Sequence, residues 1–188
     1  MEAFWAEWGQ LAYLGAAVWA FFEGETFVLL ASAAGRATGL IDPWYLGISV
    51  WLGSFAGDQL WFTLGRRYGR GIANRIPGAE RRLDQALRVL DRYGTLFILS
   101  FRFVYGIRNV SSAACGIAGM SWGRFAFWNF IAAGVWAGSF VGAGWYLGEW
   151  LGPDGVYWML AGAGVCLGLL VVYKVWRGFQ RAAARHAV

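Results

Sequence analysis

Histidine is almost absent from this chain of 188 residues, His186 in the tail being the only one. That lack argues against Ser–His and Cys–His nucleophilic pairs and against metal sites built on histidine. Cysteine is nearly as scarce. Cys115 and Cys166 lie inside apolar runs, so both read as buried free thiols, with neither a disulfide framework nor metal-ligand spacing. Charge is also thin: 14% of residues are charged and 59% hydrophobic, where a soluble domain carries about 25% charge. A water-facing coat cannot be assembled from that supply, which excludes an ordinary soluble domain. The chain opens without the basic n-region of a cleavable signal, since Glu2 and Glu7 sit at the start of its apolar run, and no signal peptide is expected. Ser111-Ser112 has no evident base. No enzyme activity, cofactor or metal is expected.

What the chain has in excess fits a bilayer. Its 28 glycines suit closely packed transmembrane helices, and its 13 tryptophans suit two interfacial belts. The net charge of +5 is not spread as a nucleic-acid surface would be. Arg66, Arg67, Arg70, Arg75, Arg81, Arg82, Arg88 and Arg92 cluster in one stretch, and Lys174, Arg177, Arg181 and Arg185 in the tail. Such clusters beside apolar spans mark the cytoplasmic side and suit anionic headgroups. The reading is an all-α polytopic membrane protein of one domain, residues 1–188.

Phe4–Phe22 is long enough for a span or a slanted interfacial helix. Thr26–Ile41 is apolar but short, broken by Gly35, Arg36 and Gly39 and closed by Asp42-Pro43, and reads as re-entrant. Trp44–Gly65 is a full span that contains Asp58. Leu83, Leu87 and Leu90 recur at helical spacing in the basic stretch 66–92, which predicts an amphipathic helix on the cytoplasmic face. Tyr93–Met120 reads as a second broken segment, interrupted by Arg102, Arg108 and Asn109. Phe125–Leu147 is a span, Gly148–Asp154 a turn, and 155–173 a C-terminal span before a cytoplasmic tail.

Two stretches look like copies. Val50 opens VWLGSFAGDQLWFTLG and Val135 opens VWAGSFVGAGWYLG, each after a broken apolar segment. Positive-inside orientation runs the two spans in opposite directions. The expectation is therefore an inverted repeat of re-entrant hairpin plus transmembrane helix, about 23–66 and 93–148, with a site at the repeat interface. Its pairing sets Arg108 against Glu23 and Glu25. Gly53, Gly57, Gly138 and Gly142 make small-residue faces for helix contact.

Glu23, Glu25, Asp58, Arg102 and Arg108 sit where each ionised group costs about 2.5–3.5 kcal/mol. They must pair, line water or be partly protonated. Arg102 and Arg108 suit a phosphate, since a guanidinium offers planar bidentate donors at any working pH. Glu23, Glu25 and Asp58 suit proton coupling. Arg124 and Asn129 are secondary candidates, the first read chiefly as snorkelling, the second as bridging helices or contacting substrate, with helix packing slightly favoured. Plain charge pairing between hairpins accounts for the same residues without any transport.

These stretches resemble the DedA family of VTT-domain membrane proteins. FRFVYGIRNV (101–110) is similar to the family's arginine pair, and CGIAGMSWGRFAFWNFIAAGVW (115–136) to its glycine, arginine, asparagine and tryptophan pattern. GETFVLLAS (24–32) and GDQLWFTLGRRYG (57–69) look like its acidic and glycine-aspartate stretches. The resemblance covers roughly 23–148. Two departures are Glu23 and Ser112, where relatives often carry proline. The resemblance implies two hairpins meeting in the membrane, dependence on the proton-motive force, and essential roles at Glu25, Arg102 and Arg108. It also implies a place in the bacterial inner membrane and translocation of a phosphate-bearing lipid such as undecaprenyl phosphate or phosphatidylethanolamine, a glycerophospholipid. A proton-coupled transporter of a small ion or osmolyte and a non-transporting scaffold are the alternatives. Lipids and protons are the expected partners, nucleic acid is not, and a homo-oligomer is allowed.

Overall fold

A computed structural model of the chain describes residues 2–22, 24–73, 88, 92, 94–104 and 107–185. Helices α1 (Glu2–Phe22), α2 (Glu25–Thr38), α3 (Pro43–Ala73), α4 (Thr95–Ser100), α5 (Arg108–Ile117) and α6 (Trp122–Arg185) make up the architecture. A 3-10 turn over Phe101–Phe103 follows α4, and no strand occurs among the described residues.

The expected breaks are only partly where the structure has them. Gly35 and Arg36 lie inside α2, which ends at Thr38 on a left-handed Gly39 cap (φ 68°) whose N–H reaches the Gly35 carbonyl at 2.9 Å. Gly35 is there for packing, because a Cβ would stand 2.8 Å from that of Ile41. Asp42-Pro43 then starts α3 instead of merely closing α2. Asp42 Oδ1 accepts the N–H groups of Trp44 (2.8 Å) and Tyr45 (3.2 Å), and Pro43 fills the first helical position, where no N–H is needed.

α3 continues past the expected span end at Gly65, carrying Arg66, Arg67 and Arg70 to Ala73. Arginine is a good helix former, and cations favour a helix C-terminus. The amphipathic helix expected farther along 66–92 lies outside the described residues, apart from Arg88 and Arg92. Within 93–120 the chain is broken as anticipated, α4 passing through the 3-10 turn to an extended Val104 (φ −103°, ψ 112°) before α5 starts. The turn expected over Gly148–Asp154 is a single-residue break instead. Gly152 (φ 65°, ψ 177°) interrupts α6, and Pro153 sits in the first turn beyond it. Cys115 is buried, but Cys166 is exposed on the distal arm of α6, contrary to expectation.

One helix among the described residues, Trp122–Cys166, is long and apolar enough to cross a membrane, at mean hydropathy 1.3. A shorter apolar helix covers Leu11–Phe22. α3 has ample length, about 46 Å at 1.5 Å per residue. Its glycines, aromatic rings and Asp58 make it less apolar than the expected span implied.

Packing is reciprocal. α2 lies against α6, and α5 lies against α3. Gly144 meets the Leu29 carbonyl and Gly148 that of Ala33, while Gly65 meets the Ala113 carbonyl and Gly69 the Ile117 side chain. Between the two seams, Trp51 packs on Phe130 and Gly134, and Phe55 packs on Phe130 (5.4 Å between centroids). A constant step of 79 residues carries Trp51, Phe55, Gly65 and Gly69 onto Phe130, Gly134, Gly144 and Gly148. This is not the register of the VWxGSF match. Gly53 and Gly57 seat α1, against the Ala17 and Phe21 carbonyls, whereas Gly138 and Gly142 have open space where a Cβ would go.

Candidate functional site

α3 supplies two side chains one turn apart on the same face, Ser54 and Asp58, both fully buried. The 3-10 turn brings Arg102 onto them. Its guanidinium donates to the Asp58 carboxylate through Nη2 and to Ser54 Oγ through Nη1 (2.8 Å). Nε and Nη2 both donate to Asn129 Oδ1 of α6, at 3.2 and 3.0 Å. Arg102 has no exposed surface at all. A side chain with five donors is retained there because each direction finds an acceptor.

Arg108 opens α5 and reaches the same two groups from another side. Nη1 donates to Ser54 Oγ at 3.1 Å, and Nε lies 3.4 Å from Asp58 Oδ1. Nη2 donates to the carbonyls of Ala20 (2.9 Å), Phe21 (3.2 Å) and Phe22 (3.1 Å). Those are terminal carbonyls of α1, left without intrahelical partners, and a cation favours that end of a helix. Asn109 Nδ2 adds a bond to Phe22 O at 3.1 Å. The guanidinium also lies 5.9 Å from the centre of the buried Trp136 ring, within cation–π range.

The result is two buried cations sharing one carboxylate. At 4 Å and an effective dielectric of 20, each unit pair interacts by about 4 kcal/mol, so the Arg–Arg repulsion is of the same order as either attraction. Around this core several buried polar atoms have no hydrogen-bond partner in the chain. They include Glu25 Oε2 and Trp136 Nε1, while Ser112 and Asn129 face the Asp58 carboxylate. Among the described residues, no group of three or more His, Cys, Asp or Glu could hold a metal ion.

Of the candidates read from the sequence, Arg102, Arg108, Asp58 and Asn129 converge. Asn129 is a direct Arg102 partner, more than the helix-packing residue that the sequence slightly favours. Glu25 begins α2 but forms no ion pair with either arginine; the last turn of α1 offers Arg108 its backbone carbonyls. Glu23 lies outside the described residues. Arg124 stands apart, exposed and donating to Thr95 Oγ1 at 3.4 Å. Ser54, Asn109 and Trp136 were missed. For Ser54 a signal existed: it lies one helical turn before Asp58.

A family profile decides the relationship, the VTT domain matching residues 12–146. The chain belongs to the VTT-domain family, the DedA proteins. This VTT-domain protein is 29% identical to the inner membrane protein YohD of Escherichia coli (strain K12) over 144 residues, 77% of this chain and 74% of the relative. It is 28% identical to protein DedA of the same organism over 178 residues, 92% and 81% of the two chains. An uncharacterized membrane protein of Synechocystis sp. is 32% identical over 134 residues, 67% of this chain and 59% of the relative. No solved structure matches.

Proposed function

We propose that this VTT-domain protein is a translocase that moves a phosphate-bearing lipid, undecaprenyl phosphate or a phospholipid such as phosphatidylethanolamine, across the bacterial inner membrane. The observation that carries the reading is the surplus of positive charge in the direct pairing: two buried guanidinium groups share the Asp58 carboxylate, and Glu25 acts on Arg102 only through space. A surplus cation in a dry site calls for an anion, and every acceptor that Arg108 holds is an oxygen that a phosphate oxygen can replace. Glu25 and Asp58 are the groups that couple the exchange to protons, Glu25 through an oxygen that has no partner in this conformation.

The setting supports a membrane. Trp44, Trp150 and Trp158 are 79–82% exposed, a surface that fits lipid better than water. α2 and α5 are about 21 and 15 Å long, short of the roughly 30 Å hydrocarbon core, which supports re-entrant hairpins over full spans. The reciprocal seams support an inverted repeat, with stretch 66–92 and the tail on the cytoplasmic side. One observation favours the scaffold reading instead: Asp58, Arg102 and Arg108 are directly paired in a closed cluster.

Reconstitution separates the two. Liposomes carrying the protein are expected to move undecaprenyl phosphate faster than phosphatidylethanolamine or the reverse, with a rate that depends on an imposed pH gradient. Folded Arg108→Ala and Glu25→Gln proteins should lose at least about tenfold in rate, the 1.4 kcal/mol equivalent of one lost charged contact. Wild-type rates in both variants sink the translocase reading and leave the scaffold.

A further inference from the structure

The hairpin formed by α1 and α2 is open along its length. Its legs touch near the tip, where Trp19 stacks on Phe27 (5.3 Å between centroids), and again at the far end, where Tyr13 Oη accepts the Asp42 N–H at 2.9 Å. Between those two ties the walls are built of small residues. Ala12 and Gly15 line one leg, Ala31 the other, and the buried Ala16 and Leu46 form a floor continuous with the core. The gap is a half-open groove of about 310 Å³. Its one hydroxyl is already engaged by Asp42, so its lining offers hydrocarbon only.

The groove ends beside the charged site. Trp19, at its tip end, precedes the Ala20 carbonyl that Arg108 grips, and Ala16 lies one helical turn, about 5.4 Å, farther along α1. The apolar trough therefore stops at the Trp19–Phe27 stack, one residue along α1 from the Ala20 carbonyl that Arg108 holds, and a chain seated in it passes that stack to put its headgroup at the arginine. We infer that the α1–α2 groove is the seat of the hydrocarbon chain of an anionic single-headed amphiphile whose phosphate is received at Arg108. The inference rests on the proposed phosphate-binding role of that arginine and adds the tail subsite to it. A neutral lipid would fill the trough equally well but would have no use for the adjoining charge. A free phosphate would use the charge and leave the trough empty. A phosphate that takes Arg108 must also replace the Ala20, Phe21 and Phe22 carbonyls, so loading the site loosens the last turn of α1 against α5.

The test is photolabelling of the full chain in lipid nanodiscs. One probe is an alkyl phosphate with a diazirine in its chain, and the other carries the same chain on an alcohol. The phosphate probe is expected to label Ala12–Trp19 and Phe27–Ala31 about tenfold above the alcohol, a difference set by one charged contact. Gly15→Leu, where a Cβ starts in open space, and Ala31→Leu on the facing wall each occupy groove volume. Each should cut hairpin labelling about tenfold, as displacing two methylenes of bound chain would. Labelling of the exposed distal arm of α6 should stay unchanged. Equal labelling of the hairpin by both probes overturns the inference, as does labelling indifferent to both leucines. If Arg108→Ala stops transport while the phosphate probe labels elsewhere, the groove fails alone; if Arg108→Ala transports normally, the phosphate reading itself has failed.

Discussion

Ser54 shows how much of the site rests on one small hydroxyl. Its oxygen accepts from Arg102 at 2.8 Å and from Arg108 at 3.1 Å, so it stands between two like charges and screens each from the other. Asp58 does the same with a full negative charge. Their removal should therefore differ in size. Ser54→Ala strands one donor on each arginine, at about 1–3 kcal/mol per unsatisfied buried group. Asp58→Asn leaves two buried cations without a counter-charge and breaks two buried pairs, at about 3–5 kcal/mol each, more than the two donors that Ser54→Ala strands. Thermal unfolding of the purified proteins is expected to rank wild type above Ser54→Ala above Asp58→Asn. A Ser54→Ala protein as unstable as Asp58→Asn would mean that the hydroxyl, not the carboxylate, holds the cluster. Arg102, Arg108 and Asp58 were visible in the sequence because charge stands out in apolar runs. Ser54 and Trp136 were not, because a serine or a tryptophan in such a run is ordinary until its neighbours across the fold are known.

At the scale of elements, glycine decides which helices touch. α1 sits so close to α3 that a Cβ at Gly53 would stand 2.7 Å from the Ala17 carbonyl carbon, a backbone atom that cannot swing away. Gly138, its partner in the sequence match, has nothing within 4 Å. The two should respond oppositely to the same change. Gly53→Ala gains about 1 kcal/mol of helix propensity but forces α1 outward, and overpacking costs about 1–3 kcal/mol. Gly138→Ala keeps the propensity gain with no clash. Melting temperatures should fall for the first and hold or rise for the second. The Gly-Ser-Phe match in both spans was readable from composition, but the use of each glycine was not. A glycine in a helix reads the same whether it seats a neighbour or faces open space. Element boundaries failed for a related reason. Gly35-Arg36 reads as a breaker beside Gly39, yet Gly35 is needed by Ile41 and only Gly39 ends the helix; at Gly152 one backbone angle does what seven residues were expected to do.

Across the whole molecule the two seams, α2 on α6 and α5 on α3, are built to one plan but not fastened alike. Ser32 Oγ donates to the Val141 carbonyl at 2.6 Å in the first, buried. The matching place in the second holds Gly116 against the Phe62 carbonyl, with no side chain to donate. The α2 seam thus adds a hydroxyl–carbonyl bond beside its glycine contacts, while the α5 seam is fastened at its start instead, by Arg108 on Ser54 and Asp58. If the seams are equivalent in packing, Gly65→Ala and Gly144→Ala should each destabilise by about 1–3 kcal/mol, since both set a methyl against a backbone carbonyl. Being in separate interfaces, their effects should add within about 0.5 kcal/mol in the double variant. Ser32→Ala should cost about 1 kcal/mol in the α2 seam alone. Chemical denaturation of the four variants checks this. A neutral Gly65→Ala beside a damaging Gly144→Ala would leave the reciprocity a matter of shape without energy. Comparable losses would make the two seams equal in glycine packing and leave Arg108, on Ser54 and Asp58, as the fastening that distinguishes the α5 seam.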